Sequence, residues 1–275
     1  MLALGMGLAG VAWSAQGAEY ASPPPVAGDP ALIEKVAEAG PTVSADISLQ
    51  SAYVSRGEVN SDRPVLQPQF DVSKFGFTVG VWANDELTEH AYGQRGFSEI
   101  DLMLNYQLPV KPVNVFVGVI EYSYLYSCSE TLPDGTRFQT SVPSTREVFV
   151  SATWDNPWLT PRAEIYYDFG QADGFYVDAI LEHEFDLAPG WTLTPGASSG
   201  WGSREFNEYT YGAEVNAFLD GNLYAQVDYA WKNGVKLGGN LEYTWLWDED
   251  VRSSAEQVYL GTKQLYGGVT LTYEF

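Results

Sequence analysis

From Val43 to the C-terminus, apolar and polar residues alternate with a period of two, in runs separated by turn-forming clusters. Ile47, Leu49 and Tyr53 alternate with Asp46, Ser48 and Gln50, and Leu66, Phe70 and Val72 with Gln67, Gln69 and Asp71. The pattern returns from Ile100 to Tyr106, Ala163 to Phe169, Phe175 to Leu181, Leu223 to Tyr229 and Val269 to Phe275. Side chains of a strand point alternately to its two faces, so each run predicts a strand with one apolar and one polar face. Twelve are predicted, at 43–55, 65–73, 77–84, 97–107, 113–125, 145–155, 160–169, 174–186, 191–201, 222–232, 235–247 and 265–275. Tyr209 to Leu219 would make a thirteenth. A membrane barrel with both ends on one side needs an even number, so 202–221 reads as an external excursion, with fourteen strands as the alternative.

A soluble sandwich also alternates, so the period alone does not choose between the two. Three features favour an all-β, transmembrane antiparallel barrel. The runs of roughly 9–13 residues suit tilted membrane strands better than the ~5–6 usual in soluble sheets. Tight connections (Lys74 to Gly76, Leu108 to Pro112, Asp155 to Trp158, Leu187 to Gly190, Lys232 to Gly234) alternate with long ones (Arg56 to Pro64, Asp85 to Gly96, Ser127 to Ser144, Asp248 to Gln264). Short periplasmic turns and long external loops have that asymmetry. Tryptophans, among them Trp154, Trp158, Trp191, Trp201, Trp231, Trp245 and Trp247, gather near strand ends, where an interfacial belt would lie.

Ahead of the 43–275 barrel the pattern changes twice. Residues 1–18 carry an apolar stretch from Leu2 to Trp13 and then small residues to Ala18, as in a secretory signal peptide. The basic leader is missing, which reads as a truncated or misassigned start. Residues 19–42 hold a Pro-rich piece and a short N-terminal helix opened by Asp29-Pro30 and stopped by Gly40-Pro41.

Composition narrows the function classes. With 14 Lys plus Arg against 36 Asp plus Glu, the net charge is −22, which excludes nucleic-acid binding through phosphate neutralisation. The 15% aromatic content argues against disorder. Cys128 is the single cysteine, so no intrachain disulfide forms, and with only His90 and His183 beside it no zinc set is expected. Neither histidine has a Ser or Asp constellation around it, so no enzyme, catalytic residue or cofactor is expected. The run Asp248-Glu249-Asp250 lacks the spacing of a calcium loop and reads as a solvated loop, with no metal site.

Several short motifs resemble the TorF-type porin family of Gram-negative outer membranes. They are Tyr53-Val54-Ser55-Arg56-Gly57, Pro64-Val65-Leu66-Gln67-Pro68, Gly80-Val81-Trp82, Tyr166-Tyr167-Asp168 with Gly174-Phe175-Tyr176, and Tyr266-Gly267-Gly268-Val269. The resemblance implies an outer-membrane porin and names no solute. Phe275, with Tyr273, Leu271 and Val269 on the same face, looks like the signal read by the barrel-assembly machinery.

If the apolar face meets lipid, the other face lines a lumen. Asp46, Asp71, Glu99, Asp101, Glu147, Glu164, Asp168, Asp178, Glu182, Asp228 and Glu242 would point inward, with Arg56 and Arg162 as the basic residues. A pore so lined concentrates cations. The expected function is therefore a passive channel for small hydrophilic solutes, integral to the outer membrane and preferring cations. Its partners would be membrane lipid, lipopolysaccharide, the assembly machinery and the solutes themselves. The alternative is a closed-lumen structural or adhesion barrel acting through its loops.

Overall fold

The protein is described from a computed structural model covering residues 40–88, 95–125, 127–131, 137–154, 156 and 158–275, with backbone alone over 127–141. The signal segment and the helix at 29–40 lie outside the described residues. The strands are β1 (Thr42–Gln50), β2 (Tyr53–Ser55), β3 (Glu58–Ser61), β4 (Val65–Lys74), β5 (Phe77–Glu86), β6 (Gly96–Leu108), β7 (Asn114–Tyr124), β8 (Ser127–Thr131), β9 (Arg137–Ser141), β10 (Thr145–Thr153), β11 (Thr160–Asp168), β12 (Gly174–Glu182), β13 (Phe185–Ala188), β14 (Trp191–Gly202), β15 (Ala217–Ala230), β16 (Val235–Leu246) and β17 (Lys263–Glu274). Two helices, α1 (Arg204–Tyr211) and α2 (Glu249–Val258), sit in the last two long connections.

Neighbouring strands pair antiparallel in the order β1-β4-β5-β6-β7-β10-β11-β12-β14-β15-β16-β17, and β17 returns to β1. The barrel is therefore closed with twelve strands, since β13 continues β12 along the same edge of β14 after a break at His183-Glu184. Closure leaves no unpaired edge, the requirement for crossing hydrocarbon with strands. At the seam Ile47 faces Leu271, and Val43 and Phe275 exchange both backbone hydrogen bonds, at 3.1 and 2.9 Å.

The alternation sorts the two faces. Ile47, Leu102, Ile165, Leu181, Leu223 and Val269 stand exposed on the outside. Glu99, Asp101, Asn105, Glu147, Glu164 and Glu242 are buried inside. At the end with the short turns Trp154, Trp158, Trp191 and Trp231 are exposed, and Trp191 packs on Tyr229 with ring centroids 4.8 Å apart.

Among the differences from the sequence reading, three have a clear local cause. The first strand stops at Gln50 rather than at residue 55, because 53–61 leave the wall and pair with themselves as β2–β3. The 202–221 excursion holds α1 and no thirteenth strand, and β15 already begins at Ala217. Ser203 caps α1 by accepting from the Phe206 N–H, and Gly212 ends it in the left-handed region at φ 75°. The acidic run at 248–250 is not an irregular loop. Asp248 caps α2 by accepting from the Asp250 and Val251 N–H groups, and Glu249 and Asp250 fill its first turn, where the helix dipole favours negative charge.

Candidate functional site

The long-connection end of the barrel is shut by the β2–β3 hairpin, which folds inward and is overlaid by α1 and α2. Its turn has two residues, Arg56 and Gly57, both with positive φ (46° and 85°). That is the conformation of a tight hairpin turn matched to strand twist. Glycine adopts it freely, whereas arginine pays roughly 1–2 kcal/mol for the left-handed region. A Cβ at Gly57 would collide with Leu246 and Asp220, so the hairpin tip is pressed against the wall.

What holds Arg56 there is its side chain. Its Nη1 and Nη2 donate to Glu147 Oε1 and Oε2 at 2.6 and 2.8 Å, and both side chains are essentially inaccessible (0% and 1%). The Tyr122 hydroxyl donates to Glu147 Oε2 at 2.8 Å. The guanidinium lies 4.7, 4.4 and 5.3 Å from the ring centres of Tyr166, Tyr176 and Phe206, within cation–π range. Tyr176 is fixed in turn by donating to Asp220 at 3.0 Å, and Gly200 leaves the space in which they meet. From α1, the Tyr211 hydroxyl donates to the Arg56 carbonyl at 2.6 Å.

The rest of the hairpin is as well anchored. Tyr53 donates to Glu99 at 2.8 Å and Ser61 to Glu86 at 2.9 Å. The Leu260 N–H, just past α2, donates to the Val59 carbonyl at 3.4 Å, and the Tyr259 hydroxyl donates to the Thr210 carbonyl at 2.8 Å. Glu58 is fully buried beside Arg56. Burial pushes its carboxyl well above the usual carboxylate range, and the neighbouring Arg56 charge only partly offsets this.

The residues singled out from the sequence fall into three groups. Arg56, Glu99, Asp101 and Glu147 surround the hairpin, but Arg56 comes from the hairpin tip and not from a wall strand. Arg162, Asp178 and Glu242 line a cavity of ≈ 30 Å³ beneath it, together with Tyr224 and Asp220. Arg162 reaches Glu164 at 3.5 Å and Glu182 at 4.0 Å. Nearer the short turns, Asp46 accepts from Thr272, Asp71 from Gln69 and Asp228 from Gln226, at 2.5, 2.5 and 2.8 Å. Asp168 stands apart: it accepts from Thr145 and from the Gly170 and Gln171 N–H groups, capping the turn after β11.

Sequence reasoning missed Tyr122, Phe206, Tyr211, Asp220 and Glu58. One usable signal was present: Arg56-Gly57 after an alternating run is a two-residue turn, which would have placed a hairpin there.

The barrel superposes on outer-membrane proteins of known structure. A KdgM porin, solved in complex with disordered oligogalacturonate, aligns at a TM-score of 0.50 and 8% identity over 85% of this chain and 99% of that one. An outer-membrane channel from Pseudomonas putida F1 aligns at a TM-score of 0.50 and 11% identity over 86% of this chain and 96% of the other. At such identities the likeness is one of fold. No curated protein matches the sequence. Residues 34–252 match a family described as a bacterial protein of unknown function, and the chain belongs to that family, Gcw_chp.

Proposed function

We propose that this protein is an outer-membrane channel for small hydrophilic solutes, described here in a closed state, and that its open lumen prefers cations. One observation carries the reading: the inner wall of a closed twelve-strand barrel is polar and acid-rich, while what blocks it is a separate hairpin. Eight-strand barrels are filled by their own wall side chains and sixteen-strand barrels leave a wide channel, so twelve strands suit a narrow pore. Below the hairpin, Asp46, Gln69, Asp71, Gln226 and Thr272 remain only partly buried. Acids on that wall outnumber its inward bases Arg162 and Lys236, which supports cation preference. The exposed apolar outer face, to which Val269, Leu271 and Tyr273 belong, supports a lipid environment. The TorF-type motifs agree with a porin.

The test is conductance of purified, folded protein in planar bilayers under a salt gradient. Discrete steps with a reversal potential of cationic sign support the reading, and an anionic sign removes the selectivity. One observation favours the closed structural barrel instead: the space beneath the hairpin is small. Silence in the wild type and in an Arg56→Ala variant would establish that reading in place of the channel.

A further inference from the structure

The cage around Arg56 has the composition of a ligand site. Its floor is a carboxylate presented edge-on, with both oxygens engaged by two parallel N–H donors at 2.6 and 2.8 Å. Tyr122 fixes that carboxylate by donating to Oε2. Tyr166, Tyr176 and Phe206 supply ring faces at 4.4–5.3 Å from the charge. A planar guanidinium satisfies the fork and the rings together, whereas an ammonium can meet only one oxygen in line.

All five residues belong to elements other than the hairpin, four of them to wall strands and Phe206 to α1. Glu147, Tyr122, Tyr166 and Tyr176 sit on β10, β7, β11 and β12 of the wall. The present occupant fits imperfectly. Arg56 Nε is buried with no acceptor, and the Arg56 backbone is held at φ 46°. The backbone penalty weighs on the tethered arginine and not on a free solute that brings the same fork.

We propose that this cage is a binding site for guanidinium-bearing solutes, and that Arg56 is a built-in surrogate which such a solute displaces. The inference deepens the channel reading and rests on it for the solute's route, but the binding step does not require conductance. A guanidinium solute entering the cage takes over the Glu147 fork and frees the hairpin tip. Occupation of the site and opening of the lumen are then the same event.

The experiment is calorimetric titration of detergent-purified protein with ethylguanidinium, and with ethylammonium as the charge-matched control. Arg56→Ala vacates the cage, and Arg56→Gly does so with a residue suited to the turn, should the alanine variant not fold. Heat-modifiable migration verifies the barrel in each. The vacated protein is expected to bind ethylguanidinium about tenfold or more tighter than ethylammonium, because only the former fills the fork. Adding Glu147→Gln should remove that preference. Wild-type protein should bind about tenfold or more weakly than the vacated variants, since Arg56 must first leave. Equal affinity for the two cations, or a preference that survives Glu147→Gln, overturns the site. Guanidinium-selective binding without conductance supports the site while overturning the channel reading. Conductance without selective binding does the reverse.

Discussion

Removing Arg56 or Glu147 alone should undock the hairpin while leaving the barrel wall intact. Both side chains are inaccessible, so truncating one leaves the other as a buried, unpaired charge, which costs about 3–5 kcal/mol. The wall does not share that loss, because its strands pair antiparallel with their neighbours from β1 round to β17. The cost falls on the local equilibrium between docked and undocked hairpin. Hydrogen exchange of the 53–61 amides reads that equilibrium directly. At 1.36 kcal/mol per factor of ten, protection there should fall by about two to four powers of ten in Arg56→Met or in Glu147→Gln. The wall amides should keep theirs. Arg56→Met combined with Glu147→Leu replaces the pair by apolar groups and should recover much of the loss. Changes of less than about threefold at 53–61 in both single variants would refute the claim that the pair holds the plug, since that is far below the range expected for a buried pair.

Glu58 gives the docked hairpin a pH dependence. Its raised pKa means that the docked form favours the neutral carboxyl. Its contribution is complete below the ordinary value of 4.5 and is lost as pH rises toward the raised one. Protection at 53–61 should therefore fall as pH rises above 4.5 in the wild type, and Glu58→Gln should flatten that slope. Gly57→Ala places a Cβ against Leu246 and Asp220 at φ 85°, so it should weaken docking by at least the roughly 1–2 kcal/mol of the left-handed region, seen as faster exchange at 53–61. Leu102 stands half-exposed on the outer face near the middle of β6, so Leu102→Lys should destabilise the barrel in lipid vesicles by about 2–4 kcal/mol in urea unfolding. An undiminished urea midpoint would mean that this face does not meet hydrocarbon.

The wall was legible from the sequence because its rule is local. Whether Leu102 or Asp101 faces outward follows from its neighbours' alternation, and strand parity then fixed which runs could be counted. The helices left local traces as well. Ser203 and Gly212 bracket α1, and Asp248 opens α2, but a run of carboxylates is equally at home in a solvated loop and was read as one. The plug left no such trace. Tyr53 to Ser55 continue the alternation of β1 with only a two-residue interruption at Ser51-Ala52, so chain pattern alone cannot distinguish a strand running onward from a chain turning inward.

That choice is made by partners far away in the chain. Glu147 lies 91 positions from Arg56, and Tyr211, which grips the Arg56 carbonyl, lies 155 away. An acid-rich wall alone does not demand the turn, since its acids could be met by water, protons or solutes. The inward fold is favoured by the Tyr53–Glu99 and Ser61–Glu86 hydrogen bonds and, at the tip, by one arginine delivering a fork to a carboxylate beside three aromatic rings. The left-handed backbone at Arg56 is a penalty that only such a contact offsets. The sequence reading therefore located Arg56 and Glu147 on the same lumen but left them unrelated. Their pairing depends on the curvature of the wall, which carries β10 across the lumen from the hairpin that follows β1. The hairpin pairs with itself and meets the wall through side chains, whereas the wall strands pair with one another, so the occluding element can leave without dismantling the wall.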